Sequence, residues 1–307
     1  MHDKPTAEID IDTALVRRLV IEQAQSIPHA AELPLEKVAE GWDSEVWRLG
    51  AEYAVRLPRR DLAAPLVLSE QRVLPGIAER LAPLGVPVPA PVVCGAPSGD
   101  YPWAWSVVRW IEGDAGLDVP RAARAGWADQ LAAALVALHT EAPADFPVNP
   151  VRGRPLQTRA AAFAERIATA RETGVLDEAT ADALTAAWQE GLRTPGWNGP
   201  PVWIHGDLHP GNLVSRDGAL AGLIDFGDVT AGDPAYDLAV AWLAFDAAGR
   251  ARFIAATGAH YDTATWRRAH AWAAAVALVL LVHSDDNPDY FALGSDAVTH
   301  VLADPPA

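Results

Sequence analysis

Residues 202–227 read V-W-I-H-G-D-L-H-P-G-N-L-V-S-R-D-G-A-L-A-G-L-I-D-F-G, and this stretch decides how the rest of the chain is understood. Within it, L-V-S-R-D-G-A-L-A-G-L-I-D holds two short apolar runs around Asp217-Gly218, a dipeptide that two-residue hairpin turns favour. Closing that hairpin brings Asn212, just before the first strand, beside Asp225 at the end of the second. Asp207 lies upstream in a segment that Gly206, Pro210 and Gly211 keep from becoming a helix. Two acids and an amide converging on one point are oxygen donors of the kind Mg²⁺ prefers, with one carboxylate left over to act as a base. Taken singly, Asx residues in loops usually satisfy nearby backbone groups. Three at these spacings, followed by Phe-Gly, form a joint pattern far rarer by accident. His205 and His209 have the spacing of a zinc-protease pair, but that motif needs a helix and an intervening Glu. Gly206, Asp207 and Pro210 deny it both, so the two histidines are expected to hydrogen-bond within the loop.

Outward from this island the texture changes. Upstream, Thr13 to Gln25 has helical spacing, and Leu35 to Leu57 alternates in short pieces broken by Gly41 and Gly50, predicting two or three strands. Leu66 to Leu84 is helical again. The prolines of V-P-V-P-A-P-V at 86–92 exclude a central strand, and Trp103 to Ile111 is β-rich. Helices are predicted over 121–139, 157–172, 177–192, 235–247 and 266–282. The chain therefore divides into a small β-containing N-terminal lobe to about residue 108, a connector at 109–113, and a larger helical lobe over 114–307.

H-G-D-L-H-P-G-N followed by D-F-G resembles the signature of the aminoglycoside phosphotransferase family, small-molecule kinases that include macrolide phosphotransferases. The resemblance extends from about Leu35 to Asp246 and implies an α+β, two-lobed protein-kinase-like fold. It implies Asp207 as catalytic base, Asn212 and Asp225 as holders of Mg²⁺ and the nucleotide phosphates, and Asp237, in G-D-P-A-Y-D-L-A, as brace of the catalytic loop. It also implies ATP or GTP as co-substrate. The nucleotide would lie under the Gly41 turn and Ser44, with its base against the backbone of Arg109 and Ile111 and the side chain of Val108. One departure stands out. In that family a strand Lys, paired to a helix Glu, orients the phosphates. Here Arg56 stands in its place, with Glu70 at a helical position able to pair with it. A guanidinium is permanently charged and offers phosphate a planar fork, so the substitution is chemically sound. Of the two lysines, Lys4 and Lys37, the second precedes the glycine turn on the wrong strand to substitute.

Composition narrows the partners. With 24 Lys plus Arg against 40 Asp plus Glu, the formal charge is -16, which speaks against a duplex nucleic-acid binder. Cys94 is the single cysteine, so neither an internal disulfide nor a cysteine zinc site can form, and a reducing compartment is expected. The first 30 residues lack the apolar core of a signal peptide, and the longest apolar run, Ala271 to Val282, is too short to span a bilayer. A cytoplasmic protein without membrane association is expected. Residues 225–246 and 269–307 carry acids but no Lys or Arg, including Asp225, Asp228, Asp233, Asp237, Asp246, Asp285, Asp286, Asp289, Asp296 and Asp304. A field of that sign beside the catalytic loop would attract a polycation, so an aminoglycoside antibiotic is the leading acceptor. An apolar macrolide in a helical cleft, or another small metabolite, is the alternative. The rival of another class is a non-catalytic nucleotide-binding pseudokinase.

Overall fold

The computed structural model describes residues 5–284 and 287–306. At the N-terminus, helix α1 (Thr13–Gln23) starts where the Asp12 carboxylate accepts the Leu15 N–H at 2.8 Å. It is followed by β1 (Leu35–Glu40), β2 (Ser44–Leu49), β3 (Tyr53–Pro58), helix α2 (Ala64–Leu81), β4 (Pro91–Gly95) and β5 (Trp105–Arg109). These five strands form one antiparallel sheet in the order β1-β2-β3-β5-β4. The proline-rich segment ends in β4, which starts at Pro91 and lies at the sheet edge, where a missing ladder donor costs least. One face of α1, with Leu15, Val16, Leu19 and Val20, packs with Trp47, Leu49, Val55, Leu57, Trp105 and Val107 into a buried cluster. Each such side chain contributes roughly 1.5–3 kcal/mol by leaving water.

A second, larger cluster belongs to the helices, and α2 joins it through Val73, Leu74, Ile77 and Leu81. The elements after residue 113 are β6 (Asp114–Ala115), α3 (Ala128–Leu138), α4 (Ala160–Glu172), α5 (Glu178–Arg193), β7 (Val202–Ile204), β8 (Leu213–Arg216), β9 (Ala219–Leu223) and β10 (Thr230–Gly232), then α6 (Ala235–Leu238), α7 (Val240–Ala244), α8 (Ala247–Ala256), α9 (Thr263–Val282) and α10 (Pro288–Ala303). Nine of the twelve tryptophans are buried. No helix among the described residues is long and apolar enough to cross a membrane.

Two helical expectations need correction, and one helix is additional to them. The helix predicted from 121 begins only at Ala128. Arg121–Trp127 is a tighter 3₁₀ turn, held by Arg124 donating to the Val119 carbonyl at 2.8 Å and by Arg121 donating to the Trp242 and Phe245 carbonyls at 3.0 and 2.9 Å. The predicted helix 235–247 is two short helices and an extended Phe245, all fully enclosed, so packing from every side replaces the one-sided periodicity a surface helix shows. Helix α10 was not anticipated, although Asn287 accepting the Tyr290 N–H at 3.3 Å, Pro288 at its first position, and Leu293, Ala297, Val298 and Val301 on one face are standard signals.

What positions the site is the middle of this lobe. β8 and β9 pair around Asp217 (φ 54°) and Gly218 (φ 79°), the left-handed pair of a two-residue hairpin. β7 pairs with β10, so the loops 205–212 and 224–229 run side by side. A cleft of about 1180 Å³ separates them from the β-sheet.

Candidate active site

Asp237 is completely buried and accepts the backbone N–H groups of His205 at 2.6 Å and Gly206 at 3.0 Å. His139 lies 3.2 Å away on its far side and is itself held by the Tyr261 hydroxyl at 2.7 Å. A dry carboxylate is tolerable only with donors of this kind, and here they fix the first two residues of the loop. His205 then bonds twice, through Nε2 to the Ile224 carbonyl at 2.8 Å and through Nδ1 to the Asp207 N–H at 3.3 Å. Because a carbonyl only accepts, Nε2 carries the proton. Gly206 has φ 85°, and a Cβ there would stand 2.3 Å from the Asp228 carbonyl oxygen, so only glycine lets the two loops cross this closely.

Asp207 leaves the loop into the cleft, about one-third exposed. Arg152 Nη2 is 3.1 Å from its Oδ1, and His209 Nε2 is 3.7 Å from its Oδ2. Burial alone would raise this carboxyl, but the Arg152 guanidinium, reinforced by His209 and His205, holds it well below the usual carboxylate range. Asn212 donates Nδ2 to the Asp207 carbonyl at 2.7 Å, which commits its nitrogen to the loop and leaves Oδ1 as the atom able to meet a cation. The hairpin brings the Ile224 N–H to the Asn212 carbonyl at 3.0 Å, and Asp225 follows in the left-handed region at φ 61°. Phe226 is buried against His205, with ring centroids 4.3 Å apart, and anchors that turn.

Across the cleft, Arg56 from β3 donates Nη1 to Glu70 Oε1 at 2.6 Å and Nη2 to Asp225 Oδ1 at 2.8 Å. One guanidinium thus ties the sheet, α2 and the second acidic loop together. Burial opposes its charge, but the two carboxylates more than restore it, so Arg56 stays cationic. Burial pushes Glu70 up to about 7, against the pull of Arg56. Lys37 sits on β1 bonded to Glu40 at 2.6 Å and Glu45 at 2.9 Å, away from this position. The Gly41 turn is closed by its N–H to the Ser44 carbonyl at 2.9 Å and by Arg59 donating to the Gly41 carbonyl at 2.9 Å. Ser44, Val108, Arg109 and Ile111 all line the cleft. The Arg109 side chain is spent on Glu52 at 2.8 Å, and Trp110 lies under the Arg48 guanidinium, 4.1 Å from its ring centroid.

Sequence reasoning missed Arg152. It sits in a proline- and glycine-rich loop where Asn149 Oδ1 accepts the Arg152 N–H at 3.0 Å, and its guanidinium also reaches Asp228 at 3.1 Å and donates to the Tyr236 hydroxyl at 2.6 Å. No local pattern announces it. Tyr290 was missed with its helix. Its ring packs edge-on to His209 at 5.3 Å, and burial beside Asp207 and Asp225 pushes its hydroxyl up to about 12.

Most of the acids expected to form a free negative field have partners, all but that of Asp246 from distant segments, while Asp289 stays exposed in the first turn of α10. Asp225 pairs with Arg56, Asp228 with Arg152, Asp233 with Arg268 at 2.7 Å, and Asp237 with loop amides, while Asp246 caps α8 through the Gly249 N–H at 2.8 Å. Asp296 is bound by Arg121 and Asp304 by Arg250. Asp285 and Asp286 lie outside the described residues.

A five-stranded lobe facing a helical lobe across a cleft, with acidic loops at its floor, defines a kinase-like phosphotransferase fold. The sequence matches the phosphotransferase enzyme family over residues 34–272, most of the chain, and the protein belongs to that family. No curated protein matches. Among solved structures, a GDP complex of aminoglycoside 2′-phosphotransferase-IIIa shares 22% identity over 95% of this chain and 99% of that one, with a TM-score of 0.70. The GDP and kanamycin complex of APH(2″)-IIia shares 20% over 94% and 98%, with a TM-score of 0.69. The macrolide 2′-phosphotransferase MphH from Brachybacterium faecium shares 21% over 96% and 99%, with a TM-score of 0.60. At these identities the likeness is one of fold.

Proposed function

We propose that this phosphotransferase moves the γ-phosphoryl group of Mg-ATP or Mg-GTP to a hydroxyl of a small molecule. The observation that carries the reading is the convergence of Asp207, Asn212 and Asp225 on one side of the cleft with the Arg56–Glu70 pair on the other. Asp207 accepts the acceptor's hydroxyl proton as the oxygen bonds to phosphorus and the nucleoside diphosphate leaves. A carboxylate held so firmly ionised is a weak base, which suits the loose transition state of phosphoryl transfer, where orienting the nucleophile matters more than removing its proton early.

The donor set fits Mg²⁺. The Asn212 amide oxygen and the Asp225 carboxylate, half-exposed and with Arg56 on one oxygen only, are hard oxygen donors. A bound Mg²⁺ would neutralise charge on the transferring phosphates. Arg56 would share that task by meeting the phosphates with its fork, and Ser44 and the Gly41 turn would cover them. The backbone of Ile111, which makes no hydrogen bond to other described backbone groups, is available to the base.

The names of the similar structures bring aminoglycosides and macrolides forward as acceptors to try. The paired state of the acids in 225–246 removes one reason to prefer the aminoglycosides, and the aromatic and aliphatic wall of the cleft supports an acceptor with an apolar body. The test is nucleoside diphosphate release with Mg-ATP and Mg-GTP across a panel including kanamycin and erythromycin, with phosphorylated product confirmed by mass. Absence of acceptor-stimulated release for every hydroxylated compound would remove the proposal.

A further inference from the structure

We propose that the acceptor carries an anionic oxygen group, a carboxylate or phosphate, on an apolar body, and that Arg159 and Arg166 receive that group. This rests on the phosphotransferase reading above and narrows its substrate.

The two arginines stand seven residues apart, two turns along the same helical run, and so share a face. Both line the cleft on the side beyond Asp207, and both are partly buried. Neither forms an ion pair with any described carboxylate. Arg166 has Nε 3.2 Å from His283 Nε2 and donates Nη1 to the Ala162 carbonyl at 3.3 Å, and the Arg159 side chain makes no hydrogen bond within the described residues. This contrasts with Arg56, Arg59, Arg60, Arg121, Arg152, Arg250 and Arg268, each of which holds at least one acid. Burial, and next the neighbouring charge of Arg159, pull Arg166 below its ordinary value, and the opposing charge of Glu165 does not offset them.

The surroundings offer no relief. The acids that line the cleft on this side among the described residues are Asp207 and Asp228, and Arg152 occupies both, while Glu165 acts on Arg166 from outside the cleft lining and forms no ion pair with it. The remaining wall is apolar, with Phe163, Trp188, Trp272, Val276 and Val279. Trp272 adds a donor without an acceptor, since its buried Nε1 makes no hydrogen bond. A polycation entering here would meet two guanidiniums that pair with no described carboxylate against a low-dielectric wall, whereas an anion accepts from planar forks suited to carboxylate and phosphate. The apolar wall then takes the body of the molecule, and its hydroxyl reaches Asp207.

A charge series on one flexible frame tests this: ω-hydroxydecanoate, ω-hydroxydecyl phosphate, the neutral ω-hydroxydecanamide and the cationic ω-hydroxydecylamine, with kanamycin as a polycationic control. Binding to the Mg-ADP-loaded enzyme is measured by calorimetry, separately from turnover. We expect one or both anions to bind at least about tenfold more tightly than the amide, the scale of one charge-assisted contact, and the amine to bind most weakly. Which anion prevails tells carboxylate from phosphate. Arg159→Gln/Arg166→Gln should collapse the anion's advantage while leaving the amide's affinity within about twofold, and the amide serves as control for folding. Equal affinities across the series, tightest binding by the amine or kanamycin, no binding by any probe, or an advantage that survives the double substitution would overturn the proposal. Anion preference without phosphate transfer to any probe would instead count against the phosphotransferase reading while supporting this one. Transfer to all probes without charge preference would do the reverse.

Discussion

The two halves of the cleft are built by opposite rules. On the side proposed for the nucleotide, charges come in satisfied pairs: Arg56 lies between Glu70 and Asp225, and Lys37 between Glu40 and Glu45. On the side proposed for the acceptor, Arg152 holds Asp207 and Asp228, while Arg159 and Arg166 hold no acid among the described residues. The nucleotide side rests on one sheet, one hairpin and short loops. The acceptor side draws on the 149–153 loop, α4, α5, α9 and α10, segments far apart in the chain. The residues proposed for phosphoryl transfer thus lie in continuous motifs, whereas the surface proposed to receive the acceptor is assembled from scattered pieces and, among the described residues, carries two arginines without an acid partner.

Substitutions can break this division. The largest effect is expected from Asp207→Ala, where turnover should fall by ~10² to 10⁴ while nucleotide affinity persists, since a positioned base is lost from the border of the two halves. Turnover close to the parent's would show that another group orients the hydroxyl. Asp225→Asn should weaken Mg-nucleotide binding by about tenfold or more with little change in acceptor affinity. Equal losses by calorimetry would mean that the substitution disturbs the fold instead of one half. Arg56→Ala should raise the nucleotide KM and lower kcat by on the order of tenfold, and Arg56→Lys should recover part of this, because it restores charge but not the fork. An unchanged nucleotide KM would detach Arg56 from the phosphates.

Smaller effects sharpen the contrast through pH. Arg152 keeps the Asp207 carboxyl low, so Arg152→Gln should move the acid limb of kcat/KM toward higher pH, with the nucleotide Kd serving as the control. Glu70 behaves differently, because burial lifts its folded value to about 7 against 4.5 for the free side chain. Between those values the folded chain binds the extra proton, so its stability contribution is present at low pH and lost as pH rises through about 7. The ligand-free protein should therefore lose on the order of 1–2 kcal/mol more than Glu70→Gln does between pH 5 and pH 8. Parallel melting curves for the two proteins would show that Arg56 fully offsets the burial of Glu70.

Much of the site was legible because its information is local. The Asp217-Gly218 turn sets the register that places Asn212 next to Ile224, and Gly206 allows a crossing that any Cβ would block. Residues within a few positions of one another are positioned by backbone geometry alone, so reading them needs no knowledge of the rest of the chain. The alternating strands of the first lobe and the edge position forced by Pro91 follow from the same local physics. What lay beyond the sequence is whatever depends on partners distant along the chain. A window of five acids without a base looks like a negative field, yet Arg56, Arg152 and Arg268 arrive from elsewhere to neutralise three of them. The breaks within 235–247 arise because packing closes on that segment from all sides and erases its periodicity. Arg152 reaches Asp207 from a distant loop whose Gly153, at φ 63°, packs so closely on β10 that a Cβ there would stand 3.1 Å from Gly232 Cα. The family, the two kinds of lobe and the acidic loop can be read from local sequence. The tertiary structure decided the charge that each acid and base actually presents, because electrostatic compensation depends on distance in space and not on separation along the chain.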